Sequence, residues 1–212
     1  MGSGPSWTSE ITKLDSDHSA IFAKAKTAWV AGRTAETREL LKTVVKASPG
    51  FVPAVFLAGK AAFFSKDYVR AAELLENTRR LQPSNLEAII WLAQTRLQID
   101  KDAEAESMVS EALAANPDEP RLSFLMATIY EKKDNLAGAL GFLQAAERLE
   151  EDLGLIYLES ARLRWRLGQN LEARLRLEKA KSILPVNSSL TAPVDTLLEK
   201  LAADDKAAKV RK

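Results

Sequence analysis

The chain has 212 residues, 46% of them hydrophobic and 28% charged, with a formal net charge of +1. This is the mixture of a folded chain, and its near-neutral balance supplies no field to steer it toward nucleic acid or an anionic membrane. It contains no cysteine, which excludes disulfides, thiolate metal sites and cysteine nucleophiles, and no apolar run reaches the roughly 18 residues of a transmembrane helix.

Residues 1–17 read as a tail. MGSG resembles an expression remnant, and MGSGPSWTSE lacks the basic-then-apolar pattern of a signal peptide. The compartment is therefore open: a soluble chain, cytoplasmic, or periplasmic or exported if a leader was removed. Trp7, Ile11 and Leu14 have the spacing of an extra helical turn, and Ser16 or Asp17 offers a cap for the helix that opens the folded part. His18, the single histidine, stands at this border. Without cysteine or clustered carboxylates around it, it reads as a surface or capping residue rather than a catalyst.

From residue 18 the chain keeps a rhythm. Pro49, Pro83 and Pro117 are 34 residues apart, and Pro185 lies twice that distance beyond Pro117, with Glu151 on the vacant tooth. Pro117 ends an Ala-rich helix because it lacks an N–H and pushes Asn116 out of helical geometry. Other columns fall on the same grid. Ala25, Gly59, Ala93, Ala127 and Ala161 form one small-residue column; Thr37, Ala71, Ala105, Ala139 and Ala173 form a second. Val44, Thr78, Ala112, Ala146 and Ala180 form a third, while Leu41, Leu75, Val109, Leu143 and Leu177 stay aliphatic. Small residues facing one another let two helix backbones approach closely, and the aliphatic column fills the space between successive units. A unit of this size cannot bury its apolar stripe alone, so stability must come from stacking.

The 34-residue unit resembles the tetratricopeptide repeat, a helix-turn-helix with small residues at these places and a closing proline. The resemblance covers residues 18 to 187, and LEAIIWLAQTRLQIDKDAEAESMVSEALAANP follows the family pattern closely. Thr37, Thr78, Glu151, Arg96 and Arg164 depart from it, the two arginines standing where an aromatic is usual. It implies an all-α fold: a right-handed tetratricopeptide repeat solenoid of antiparallel helix pairs. The repeats are 18–51, 52–85, 86–119, 120–153 and 154–187, followed by a capping helix over 188–205 and a basic tail at 206–212. PVDTLLEKLAADD supplies that cap, with Val194, Leu197, Leu198 and Leu201 at helical spacing and Pro193 in a first turn.

The second helices, such as AAELLENTRRL, are amphipathic, whereas the first helices VFLAGKAAFF, AIIWLAQTRL and LSFLMATIY are apolar almost all round. The family implies that positions five, nine and twelve of each first helix look into a concave groove. Carried onto this chain, the candidate partner-binding residues are Phe22, Lys26 and Trp29, then Phe56, Lys60 and Phe63, then Ile90, Gln94 and Leu97, then Phe124 and Thr128. Contiguous apolar surface of this kind marks a binding site, and an extended peptide or an amphipathic helix suits it. The competing reading is that these rings pack sideways against adjacent first helices. Two further occupants are the chain's own N-terminal segment, with Trp7 as a plug, and a second copy of the chain. The clamp for chaperone C-terminal carboxylates is not matched: the required lysines and asparagines are absent from every three-repeat window, as Phe22, Lys26, Leu57, Glu87 and Trp91 illustrate.

No Gly-rich phosphate loop, paired-histidine zinc motif or nucleophile elbow occurs, so neither an enzyme nor a cofactor is expected. The tail cations Lys206, Lys209, Arg211 and Lys212 read as a solvated end, and Trp29, Trp91 and Trp165 lack the arginine ladders that base stacking would need. The expectation is a non-catalytic scaffold or adaptor that holds an apolar segment of a partner protein, with no nucleic acid and no membrane span. A carrier of a lipid or other apolar small molecule in the same groove is the alternative.

Overall fold

The computed structural model describes residues 14–149, 154–185 and 187–210, and all regular elements among them are α-helices. Trp7, Ile11, Glu151, Arg211 and Lys212 lie outside the described residues. In chain order the helices are α1 (Ser16–Val30), α2 (Thr34–Ala47), α3 (Val52–Phe64), α4 (Tyr68–Leu81), α5 (Leu86–Gln98) and α6 (Asp102–Ala115). They continue as α7 (Pro120–Lys132), α8 (Leu136–Leu149), α9 (Gly154–Arg166), α10 (Asn170–Ile183) and α11 (Thr191–Val210). The chain forms two compact units that divide within α6, between Met108 and Val109.

Each pair is joined by the same device. Gly32, Lys66, Asp100, Asp134 and Gly168, again 34 residues apart, all take positive φ, between 56° and 73°. In the second pair the Lys66 N–H donates to the Phe63 carbonyl at 2.9 Å and the Asp67 N–H to the Ala62 carbonyl at 3.0 Å. This pair of bonds is the Schellman ending, which satisfies orphan carbonyls and reverses the chain within a few residues. Glycine adopts that conformation without strain; lysine and aspartate do so at a cost.

Helix starts are set by capping residues. Asp15, in extended geometry, accepts from the His18 N–H at 2.8 Å and is the N-cap of α1. The cap is thus one residue earlier than expected: Ser16 and Asp17 are already helical, and Asp17 lies in the acidic first turn that suits a helix N-terminus. Asp67, Asn85 and Glu119 cap α4, α5 and α7 by the same side-chain acceptance.

In the first unit α1 packs on α2, α2 on α3, α3 on α4 and α4 on α5, with α3 also meeting α5. Its core joins Ala25, Leu41, Val44, Ala71, Leu75 and Leu92, all buried, across these contacts. The small-residue column is needed here: a Cβ built on Gly59 would sit 2.8 Å from Leu75 Cγ, inside van der Waals contact. In the second unit α7 packs on α8, α8 on α9 and α9 on α10. There α11 closes the stack by burying Val194, Leu197 and Leu201 with Leu177 and Ala180 of α10 and Ala161 of α9.

Relieving the left-handed lysine tests the turn. Lys66→Gly is expected to raise stability by about 0.5–1 kcal/mol, the net of αL strain removed and chain entropy added. Urea denaturation would read it, and a loss of that size would refute the account of the turn.

Candidate functional site

In the first unit, α1, α3 and α5 carry aromatic rings that meet around one lysine. The Lys60 ammonium lies 5.5 Å from the Trp29 ring centre, 5.4 Å from Phe56 and 5.2 Å from Trp91. All three are cation–π distances. Around this cage the rings contact edge to face: Phe63 meets Trp91 at 5.3 Å and Tyr68 at 5.4 Å, and Phe64 meets Trp29 at 5.4 Å. Such pairs gain about 0.5–1.5 kcal/mol beyond their area. Phe22 has a smaller version, with Phe51 edge-on at 5.2 Å and Lys26 over its face at 5.2 Å.

The surface above the cage remains apolar. Phe64 is 56% exposed, and Val30 and Val69 are more exposed still. Phe64 meets the half-buried rings of Trp29, Phe63 and Trp91, while Val30 and Val69 follow Trp29 and Tyr68 in the chain. Acidic residues are scarce on these first helices: α3 has none, and α1 and α5 have Asp17 and Glu87 in their first turns, far from Lys60 along the helix axis. Among the described residues neither Lys26 nor Lys60 has a carboxylate partner. The face combines hydrophobic rings with unmatched positive charge.

The sequence-predicted residues divide into groups. Phe22, Lys26, Trp29, Phe56, Lys60 and Phe63 come onto adjacent first helices of the first unit, exposed or half-buried. Gln94 is half-buried on α5, whereas Ile90 and Leu97 are 3% and 7% exposed and serve the interior rather than an open surface. Phe124 and Thr128 belong to the second unit. Phe64 and Trp91 join the cluster although the repeat columns do not single them out. The Phe63-Phe64 doublet at a helix end is the available signal, since both rings cannot turn inward there.

The second unit treats the same positions differently. Phe124 and Thr128 line a cavity of about 220 Å³ with Glu131, Glu159 and Arg162. The Thr128 hydroxyl donates to the Phe124 carbonyl at 3.1 Å, so its donor is used within its own helix. Arg162 donates to both Glu131 oxygens at 2.6 and 2.5 Å and to Glu159 at 2.6 Å, and Arg166 adds a bond to Glu131 at 2.5 Å. The Arg162 hydrogen bond, and the charges of Arg162 and Arg166, hold the Glu131 carboxyl below the usual glutamate range. Trp165 is taken by the closing helix: its Nε1–H donates to Asp204 at 2.8 Å, with Lys200 over the ring at 5.7 Å. Charge on this face is matched internally.

Among the described residues no group of three or more histidine, aspartate or glutamate side chains is placed to hold a metal ion. No helix among them is long and apolar enough to cross a membrane.

Two family models, each described as Tetratricopeptide repeat, match residues 22–85 and 62–129, together half of the chain. No curated protein matches in sequence. Among solved structures the chain is similar to TTC0263, a thermophilic TPR protein of Thermus thermophilus, at 18% identity and TM-score 0.74, covering 85% of this chain and 98% of that one. It is also similar to MamA from Desulfovibrio magneticus RS-1, at 17% identity and TM-score 0.68, covering 81% and 97%. A third similarity is to MamA AMB-1, at 23% identity and TM-score 0.61, covering 77% and 96%. At these identities the likeness concerns the fold.

The ion cluster of the second unit gives a pH signature. Glu131→Gln should lower stability at pH 7 by about 1 kcal/mol, a modest value because the arginines are partly solvated. The folded carboxyl titrates below the ordinary 4.5. Its contribution is therefore present above that pH and lost as pH falls through the lower folded value. Thermal melts of wild type and variant should converge on acidification; a gap unchanged between pH 7 and about pH 3 would contradict the assignment.

Proposed function

We propose that this chain, which belongs to the tetratricopeptide repeat family, is a non-catalytic scaffold that holds a protein partner on the first-helix face of its first unit. The observation that carries this reading is the aromatic cage around Lys60, rimmed by the exposed Phe64. Rings left half open to water gain free energy when a partner covers them, by about 25 cal/mol per Å² of apolar area. The unmatched ammonium groups of Lys60 and Lys26 add charge selectivity. The occupant that complements both is an apolar segment of a partner protein carrying a carboxylate within reach of Lys60.

Lys60 suits this role physically. A lysine buried without a partner would be costly to desolvate, and an exposed one would contribute little. Held against three ring faces, it is positioned, so a carboxylate arriving with the apolar segment finds it already oriented. Phe22, Trp29, Phe56 and Phe63 form the remaining contact surface in this reading, with Phe64 and Trp91 joining them.

Site-specific photo-cross-linking in cells tests the assignment. Benzoylphenylalanine in place of Phe64 is expected to capture a discrete polypeptide, identifiable by mass spectrometry, whereas the same group at Arg80 on the exposed side of α4 is not. With that partner, Phe64→Ala should weaken binding about tenfold or more while lowering the melting temperature by only a few degrees, the loss of its ring contacts with Trp29 and Trp91. Equal capture from both positions, or unaltered affinity, would sink the proposal; a small apolar molecule co-purifying in native mass spectrometry would favour a carrier instead.

A further inference from the structure

The eleventh residue of successive repeats is Ala28, Ala62, Arg96, Tyr130 and Arg164. These side chains leave a first helix toward the second helices, and the long ones are visibly used. Arg96 of α5 pairs with Glu76 of α4 at 3.0 Å and with Glu104 of α6 at 3.5 Å. Tyr130 lays its ring edge-on against Phe142, centres 5.0 Å apart. Arg164 is 4% exposed, bonds Ser160 and lies 3.9 Å from Glu147, which Arg176 also holds at 3.0 Å. Each fills the gap over its own helix.

At Ala62, itself only 2% exposed, there is no long side chain to fill it. Between α2 and α4 is an open cleft of about 780 Å³, with Ala58 and Ala62 of α3 as floor and Leu41, Val45 and Leu74 as apolar walls. That volume lies within the range of small-molecule sites. The Arg38–Asp67 ion pair, at 2.8 Å, spans one end; toward the other, the Asn77 amide reaches the Pro49 carbonyl at 3.5 Å. The cleft is thus bounded rather than a through-groove for a helix.

Its charge is inverted relative to the filled positions. Glu76 and Glu104, which hold Arg96, correspond one repeat earlier to Lys42 and Arg70; Glu147, which faces Arg164, corresponds to Val45. A guanidinium would therefore find cations where its carboxylates should be. The rim carries Arg38, Lys42, Lys46 and Arg70 against Glu39, Asp67 and Glu73. Arg38 is matched by Asp67 and Arg70 by Glu73 at 2.7 Å, whereas Lys42 reaches Glu39 only at 4.0 Å. Among the described residues Lys46 has no ion pair. An apolar floor with surplus cations on one wall calls for an apolar body bearing negative charge.

We propose that the α2/α4 cleft is a binding site for a compact amphipathic acid, an aromatic or aliphatic body carrying one carboxylate, with the body over Ala58 and Ala62 and the carboxylate at Lys42 and Lys46. The site is independent of the first-helix face and does not rest on the scaffold reading.

An amide-resolved NMR titration of the full chain with 4-phenylbutyrate, and with 4-phenylbutylamine as its cationic counterpart, tests the site. The acid should shift amides of α2, α3 and α4 and bind about tenfold or more tighter than the amine. Ala62→Tyr copies the residue that occupies the equivalent place in the fourth repeat; at a site this covered it should lower the melting temperature by no more than several degrees, leave the chain folded, and cut affinity for the acid about tenfold or more. Lys42→Glu with Lys46→Glu, both on the exposed helix surface, should remove the preference for the acid without unfolding the chain. Equal affinity for acid and amine, binding that survives both variants, shifts centred on Phe64, or no shifts at millimolar acid would each overturn the proposal.

Discussion

The structure depends on how closely two helices of one repeat can approach. Ala25 and Thr37, Gly59 and Ala71, and Ala161 and Ala173 are all buried, one on each helix of its pair. Missing bulk at these points brings the backbones together and aligns the remaining side chains in rows. The left-handed residue of each Schellman turn makes that approach possible, because it reverses the chain within a few residues and leaves no slack. Close pairing then has a consequence for the rest of the surface. A tightly paired first helix has few directions left for its large side chains: toward the second helices, or onto the open first-helix face.

Surface chemistry is partitioned along those directions. Where the eleventh residue is long, as Arg96 and Arg164 are, it is drawn into ion pairs and locks neighbouring second helices. The Arg164–Glu147 pair is buried, and such a pair gives little net stability but penalises misplacement strongly, because removing one member strands the other. Where the residue is Ala62, the lock is absent and surface between α2 and α4 stays accessible. The other direction shows the same contrast: rings and lysines in the first unit, a matched arginine–glutamate cluster in the second. One backbone plan thus yields faces of different chemistry by changing a few side chains at fixed positions.

Much of the fold is legible in the sequence because translational repetition is a strong signal. A column such as Leu41, Leu75, Leu143 and Leu177 is buried at each occurrence, and in-phase columns over five units need no tertiary information to be noticed. The start of α1 is less legible. Ser16, Asp17 and Asp15 all have capping side chains, and only the extended geometry of Asp15 decides among them. The candidate site is legible as a set of columns but not as a surface. Ile90 and Leu97 obey the same periodicity as Phe56 and Phe63, and burial separates them only after the neighbouring elements are in place. Trp91 and Phe64 escape the pattern for the converse reason: neither stands on a column expected to face outward, and both reach the cluster through the length of their side chains.

The fate of a cation on such a surface follows from what lies within about 6 Å of it. Lys60 has rings on three sides and no carboxylate partner among the described residues, so its ammonium remains available to one. Arg162 has carboxylates, which hold its charge and already neutralise it. The two residues occupy the same place in their repeats: each follows the fifth-position residue, Phe56 or Leu158, by one helical turn on a first helix. An equivalent backbone position therefore presents an open positive charge in one unit and a closed ion pair in the other. The chemistry of this face can change by substitution at this position and its neighbours, while the small-residue columns that hold the helices together stay untouched.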